Sequence, residues 1–305
     1  MATVNTRIKV VQAVAFNGVN AGGAMSLACQ AGYDKILRSE PDGIGGPAIV
    51  DKIAEFCRGA YGTQDWTGFL SVLTAAAANF IGYQRKSGVA EATGFVKHTI
   101  VAPVVYRAAL NQALDSYMTA VYNFECQAAD ETKGFADMWT QDDAQAKPAY
   151  VSAARGGYRI TAASFDPDGA AGAIAFYHLT AFSFAVELLV DKYCNDADVG
   201  YTAVDAEADG LTANGSISFE DAAISADQLT AQRLLSAGRG TLTLTVTQGG
   251  GAAAKTIALA GVNIEGLDSN AAPRGVTGFT LRYHIANDAS VPLTLTGANP
   301  ILAIT

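Results

Sequence analysis

The three histidines, His98, His178 and His284, have the widest chemical repertoire in this chain, as general bases, proton carriers or metal ligands. They lie far apart in sequence, and no candidate nucleophile accompanies any of them. Cys29, Cys57, Cys126 and Cys194 are also widely separated, without metal-ligand spacing, and read as reduced, buried thiols. DGIGGP (42–47) is glycine-rich, but no buried strand precedes it and no Lys-Ser pair follows, so it reads as a turn. DPDG (166–169) and the acidic stretch 196–209 lack the ligand spacing of a hard-cation loop and read as solvated turns. Asn214-Gly215-Ser216 fits the glycosylation pattern, but no secretion signal is visible at the N-terminus. Trp66 and Trp139 read as one core anchor and one interface anchor. These residues predict no catalytic site, no metal and no cofactor.

The elements around them carry a different message. Half of the 305 residues are hydrophobic and only 16% are charged. Such a mix suits strands and tight turns in a protein that buries outer surface against copies of itself. The net charge is −9, with 12 basic and 14 acidic residues up to Ser152 and 8 and 15 beyond it. An acidic surface is wrong for gripping a phosphate backbone, yet it would let nucleic acid slide past. No stretch approaches the roughly 20 apolar residues of a membrane helix.

Two parts of the chain run in the same order. In the second half, GRGTLTLTV (238–246) leads through a glycine turn to KTIALAGVNIEGL (255–267) and then TGFTLRYHIA (277–286). In the first, NFIGYQ (79–84) leads through RKSGVAEA to GFVKHTIVAPVVY (94–106) and then TAVYNFECQA (119–128). The offset is about 157–158 residues, the mark of an internal duplication. Upstream, residues 64–73 are matched with 214–222. Apolar runs after glycine-rich turns open both copies. The expected domains are 1–132, with helical insertions, and 158–305, with a linker or exchange arm at 133–157.

Alternation marks the strands. Leu242, Leu244 and Val246 face one way, and Thr241, Thr243 and Thr245 the other. Phe279 and Leu281 alternate with Thr280 and Arg282. The predicted core is Leu242, Leu244, Val246, Phe279, Leu281, Trp66 and Phe69. Residues 225–238 and 74–80 are expected to be short flanking helices in matching places. Residues 47–59 and 105–118 also read as helices, without a helical counterpart in the second copy.

The order NGSISFEDA, short helix, GRGTLTLTV, glycine hairpin, KTIALAGVNIEGL, TGFTLRYHIA resembles the tail tube proteins of tailed bacteriophages and related tube-forming proteins. The resemblance covers about the last hundred residues, and the first copy in outline. It implies a mainly β fold, with two tandem tube-like β-sandwich or rolled-sheet domains that give strands to an inter-subunit β-barrel. It also implies a non-enzymatic structural protein of the virion tail, assembled in the host cytoplasm. Three chains would close a pseudo-hexameric ring, and rings would stack into a tube that conducts DNA. Partners would be further copies of the chain and tape-measure, terminator and baseplate proteins, with DNA passing unbound. Thr241, Thr243 and Thr245 are expected to face the lumen. The alternatives are a trimeric baseplate hub or adaptor, and a surface β-sandwich of adhesin type.

Overall fold

A computed structural model describes residues 8–16, 19–20, 24–38, 48–64, 66–73, 79–86, 88–90, 92–127, 138–146, 157–167, 173–194, 203–220, 239–249, 254–270, 278–285 and 301–305. These are mainly β. The first half forms β1 (Ile8–Phe16), β2 (Val19–Asn20), β3 (Ala24–Arg38) and β4 (Ala48–Thr63). A 3-10 turn (Trp66–Gly68) and the short helix α1 (Phe69–Leu73) precede β5 (Phe80–Lys86), β6 (Phe95–Ile100), β7 (Val104–Ala113), β8 (Thr119–Gln127) and β9 (Trp139–Gln145). The second half forms β10 (Tyr158–Pro167), β11 (Ile174–Phe176), β12 (Leu179–Cys194), β13 (Ala203–Phe219) and β14 (Arg239–Gln248). It ends with β15 (Ala254–Asn270), β16 (Gly278–Ile285) and β17 (Leu302–Ile304).

One sheet has the order β2-β1-β5-β6-β9. The other has the order β11-β10-β14-β15-β16-β13-β12-β7-β8-β4-β3, with β17 paired to β15. Neither closes on itself among the described residues.

The pairing registers of the two halves repeat. In the first half β7 meets β8 through Val104↔Glu125, Val105↔Phe124 and Arg107↔Asn123, with a bulge between Val105 and Arg107. In the second, β15 meets β16 through Asn263↔His284, Ile264↔Tyr283 and Gly266↔Arg282, with a bulge between Ile264 and Gly266. Every pair moves by 159 residues, Val104 to Asn263 and Glu125 to His284 alike. The same shift carries Ile100, paired to Phe80, onto Leu259, paired to Leu242. The β3–β4 pair is bulged between Ala24 and Ser26, and the β12–β13 pair between Leu179 and Ala181. The β1–β5 pair is bulged between Val11 and Ala13, and the β10–β14 pair between Ile160 and Ala162. Bulges are positioned features of a sheet, so their recurrence marks one pairing scheme used twice.

The copies differ at one joint. Val101 N–H donates to Met138 O at 3.0 Å, and Ala102 beside it turns with φ +42° between β6 and β7. At the equivalent place Ala260 N–H donates to Ile301 O at 3.0 Å, and Gly261 turns with φ +71° inside an unbroken β15. The strand thus carries on through a glycine in one copy and breaks at an alanine in the other. The first copy divides between two sheets at this joint, where Pro103, without an N–H, stands in the place of Val262.

Four expectations are corrected. The expected helices 47–59 and 105–118 are not helical insertions: residues 48–59 fall in β4 and 105–118 in β7 with its turn, and both strands have counterparts in β13 and β15. The offset between the hairpin regions is 159 rather than 157–158, because buried Ala120, Tyr122 and Phe124 must align with buried Phe279, Leu281 and Tyr283. Residues 214–219 match 58–63, not 64–73. The stretch 133–157 is not wholly a linker, since β9 completes the first copy as β17 completes the second. The predicted helix 225–238 and residues 74–78 lie outside the described residues.

Candidate assembly interface

The two copies join by strand addition. β12 of the second copy pairs antiparallel with β7 of the first, from Ala181↔Ala113 to Glu187↔Arg107. Inside the join, Phe184 stands opposite Leu110 and Val186 opposite Ala108, all fully buried. On the outer face Arg107 bridges to Glu187 at 3.2 Å. Gln112 Oε1 accepts from Ile160 N–H at 2.8 Å, and Tyr158 O accepts from Met118 N–H at 2.8 Å. Trp66, the expected core anchor, is fully buried and packs edge-on against Tyr158 at 5.4 Å, so it also ties the copies together.

The join creates an eight-strand run, β3-β4-β8-β7-β12-β13-β16-β15, with four strands from each copy. Its inner face is aromatic. Tyr61 stacks on Tyr122 at 4.7 Å, Phe80 lies 4.4 Å from Phe124, and Phe219 stacks between Phe176 and Phe279. Glycine makes room for these rings at matched positions. A Cβ on Gly59 would lie 2.3 Å from the Phe124 ring, and one on Gly215 2.5 Å from the Tyr283 hydroxyl. Burial raises the Tyr283 hydroxyl pKa well above the usual phenol value, and the protonated group donates to Ser183 O at 3.1 Å.

The opposite face of the run carries small hydroxyls and paired charges. Ser183 meets Ser216 at 2.9 Å, and Ser218 meets Thr280 at 2.9 Å. Arg58 pairs with Glu125 and Arg282 with Asp268 at 3.0 Å, while His284 Nδ1 lies 2.9 Å from Glu265 Oε1. Each of these arginines is held by a carboxylate of its own sheet, which neutralises it toward a polyanion.

Two strand edges end the run. Among the described strands β3 pairs only with β4, and the part of β15 from Glu265 to Asn270 only with β16. Along β3, Ser26, Ala28 and Gln30 are exposed while Leu27, Cys29 and Ala31 are half-buried. Burial, reinforced by the neighbouring Cys57, pushes the Cys29 thiol up to about 12, so it is protonated at neutral pH. Cys57 is raised as well, first by its hydrogen bond with Cys126 and then by burial.

The predicted core residues Leu242, Leu244, Val246, Leu281 and Phe69 are fully buried, and Phe279 is nearly so. Thr241, Thr243 and Thr245 are half-buried on the other face of β14, outside the eight-strand run. The structure does not bring the histidines together. His178 is exposed, while His284 faces Glu265. His98 is buried between Gln84 Oε1 at 2.9 Å and Trp139 Nε1 at 3.3 Å. The indole can only donate, so Nδ1 of His98 is the acceptor and Nε2 carries the proton toward Gln84. Desolvation lowers the His98 pKa and favours this neutral form. The positions equivalent to His98, Gln84 and Trp139 in the second copy hold Ile257, Val246 and Leu302, all fully buried. Sequence reading missed this cluster, whose three members lie on three strands that meet only in the fold.

Asn214-Gly215-Ser216 lies within β13, and residues 203–209 are strand rather than solvated turn. The turn at 42–47 falls outside the described residues. Among the described residues no group of His, Cys, Asp and Glu has metal-site geometry, and no helix is long and apolar enough to cross a membrane. No protein-family model matches the chain, and no curated protein matches it in sequence.

Proposed function

We propose that this chain is a structural subunit that assembles with its own copies into rings, and that the rings stack into a hollow tube of the phage-tail type. The carrying observation is the eight-strand run: two copies of one pairing scheme, already joined edge to edge, with one donor edge and one acceptor edge left over. A sheet that grows by the same head-to-tail step closes into a ring when the rotation per step divides a full turn. Six copies, from three chains, make the pseudo-sixfold ring. Closure would remove the open edges that otherwise invite aggregation.

The lining is assigned to the hydroxyl and paired-charge face of the run rather than to Thr241, Thr243 and Thr245. A lumen needs matching contributions from both copies, and those threonines correspond to Asn79, Ile81 and Tyr83, which are not a matching polar row. A face of small hydroxyls and neutralised arginines suits DNA that must pass without sticking. Light scattering and negative-stain microscopy of the purified protein test the proposal. Rings of three chains, or tubes about 10 nm across, are expected for double-layered walls around a duplex. A protein that stays monomeric at high concentration would overturn it.

A further inference from the structure

The join inside one chain specifies the join between chains. In the duplicated scheme β3 corresponds to β12, and the end of β15 to β7. Each copy therefore has one strand of the β12 kind and one of the β7 kind. Inside the chain the β7 of copy one meets the β12 of copy two. The two that are left, β3 and residues 265–270 of β15, are the open edges at opposite ends of the run. We infer that β3 of one chain adds antiparallel to the end of β15 of a second copy. Moving the β12–β7 register by the duplication sets the pairs: Ala28 opposite Asn270, Cys29 opposite Ser269, Gln30 opposite Asp268, Ala31 opposite Leu267 and Gly32 opposite Gly266. This rests on the reading that the chain assembles with itself, and adds which strands meet and in what register.

The side chains agree with the register. Cys29 and Ala31 take the places of buried Phe184 and Val186, while Ser269 and Leu267 take those of Leu110 and Ala108. All four then face inward together, as parity requires. Gln30 and Asp268 fall opposite each other on the outer face, where the amide can donate to the carboxylate. The Arg107–Glu187 bridge of the internal join becomes Gly266 facing Gly32, so no unpaired charge is left at that place. The second join buries smaller apolar side chains than the first. It is therefore the weaker of the two and the one that opens on dilution.

The pairing puts the native Cys29 beside position 269 of another molecule, which a cross-link can read. Two tagged forms are mixed: one retains Cys29, and the other carries Cys29→Ala with Ser269→Cys. Ser269 is exposed, so the change leaves the fold intact. Mild oxidation, or a short bis-thiol reagent, should join the two tags into one band on a non-reducing gel. Asp268→Cys, on the opposite face, should cross-link at least tenfold less. Oligomers that form without a 29–269 product would overturn the register while leaving the assembly reading in place. A 29–269 product without rings or tubes would uphold the register and sink the tube. A protein that stays monomeric, with no product, would overturn both.

Discussion

His98→Ile isolates the one polar cluster that the second copy does without. The substitution removes the acceptor for Trp139 Nε1–H and the donor to Gln84 Oε1. An orphaned buried polar group costs about 1–3 kcal/mol, and both partners here are half-buried, so water recovers part of that. A net loss of about 2 kcal/mol is expected. Adding Gln84→Val and Trp139→Leu recreates the set Ile257, Val246 and Leu302, and should restore most of the loss although single changes accumulate. The pH dependence gives a second readout. Folding lowers the His98 pKa, so below about 6.5 the unfolded chain binds a proton that the folded chain refuses. This group therefore removes stability as the pH falls, by at most about 1.4 kcal/mol per pH unit, until the lowered folded pKa is reached. Urea unfolding at pH 7.5 and 5.5, at fixed protein concentration, measures both effects. A His98→Ile protein as stable as the parent, or with the parent's acid sensitivity, would refute the assigned tautomer and its contacts.

Leu244→Asp should abolish folding, because it places an unpaired charge at a fully buried site, whereas Thr243→Asp on the half-buried face of β14 should leave a folded protein by circular dichroism. Ala102→Gly should raise the urea midpoint, relieving about 1 kcal/mol of left-handed strain. Gly261→Ala at the equivalent joint should lower it by a similar amount; equal effects of the same sign would show that the joints are not equivalent. Gly59→Ala and Gly215→Ala should each cost about 1–3 kcal/mol from crowding against Phe124 and Tyr283, and a neutral result at either would contradict the close packing there.

The sequence disclosed the strands that alternate without interruption. Residues 241–246 and 279–283 read directly because buried positions alternate strictly with more exposed ones along each, the bulged residues opposite them lying on the partner strands. β7 was misread for a physical reason. Its bulge after Val105 puts the buried residues at Val105, Ala108 and Leu110, which breaks the period-two alternation by which a strand is read. β4 misleads through its Ala, Lys and Glu content, which favours helices, while its pairing with β3 and β8 lies far off in sequence. The duplication was visible in element order but not in register, since identities are few and a slip of one residue exchanges the two faces. The His98 cluster was invisible because Gln84, His98 and Trp139 meet only through three strands.

The join between β7 and β12 also has a consequence for assembly kinetics. It is made within one polypeptide, at the high effective concentration of a tethered contact, and so does not depend on how much protein is present. In a ring of three chains only every second contact obeys mass action. In the proposed ring, the amount of closed sixfold wall at equilibrium would then scale with the third power of the free chain concentration rather than the sixth, and fewer kinds of partial ring would exist. In the proposed ring the covalent link would also force the two kinds of unit to alternate, with the His98 cluster at every second position.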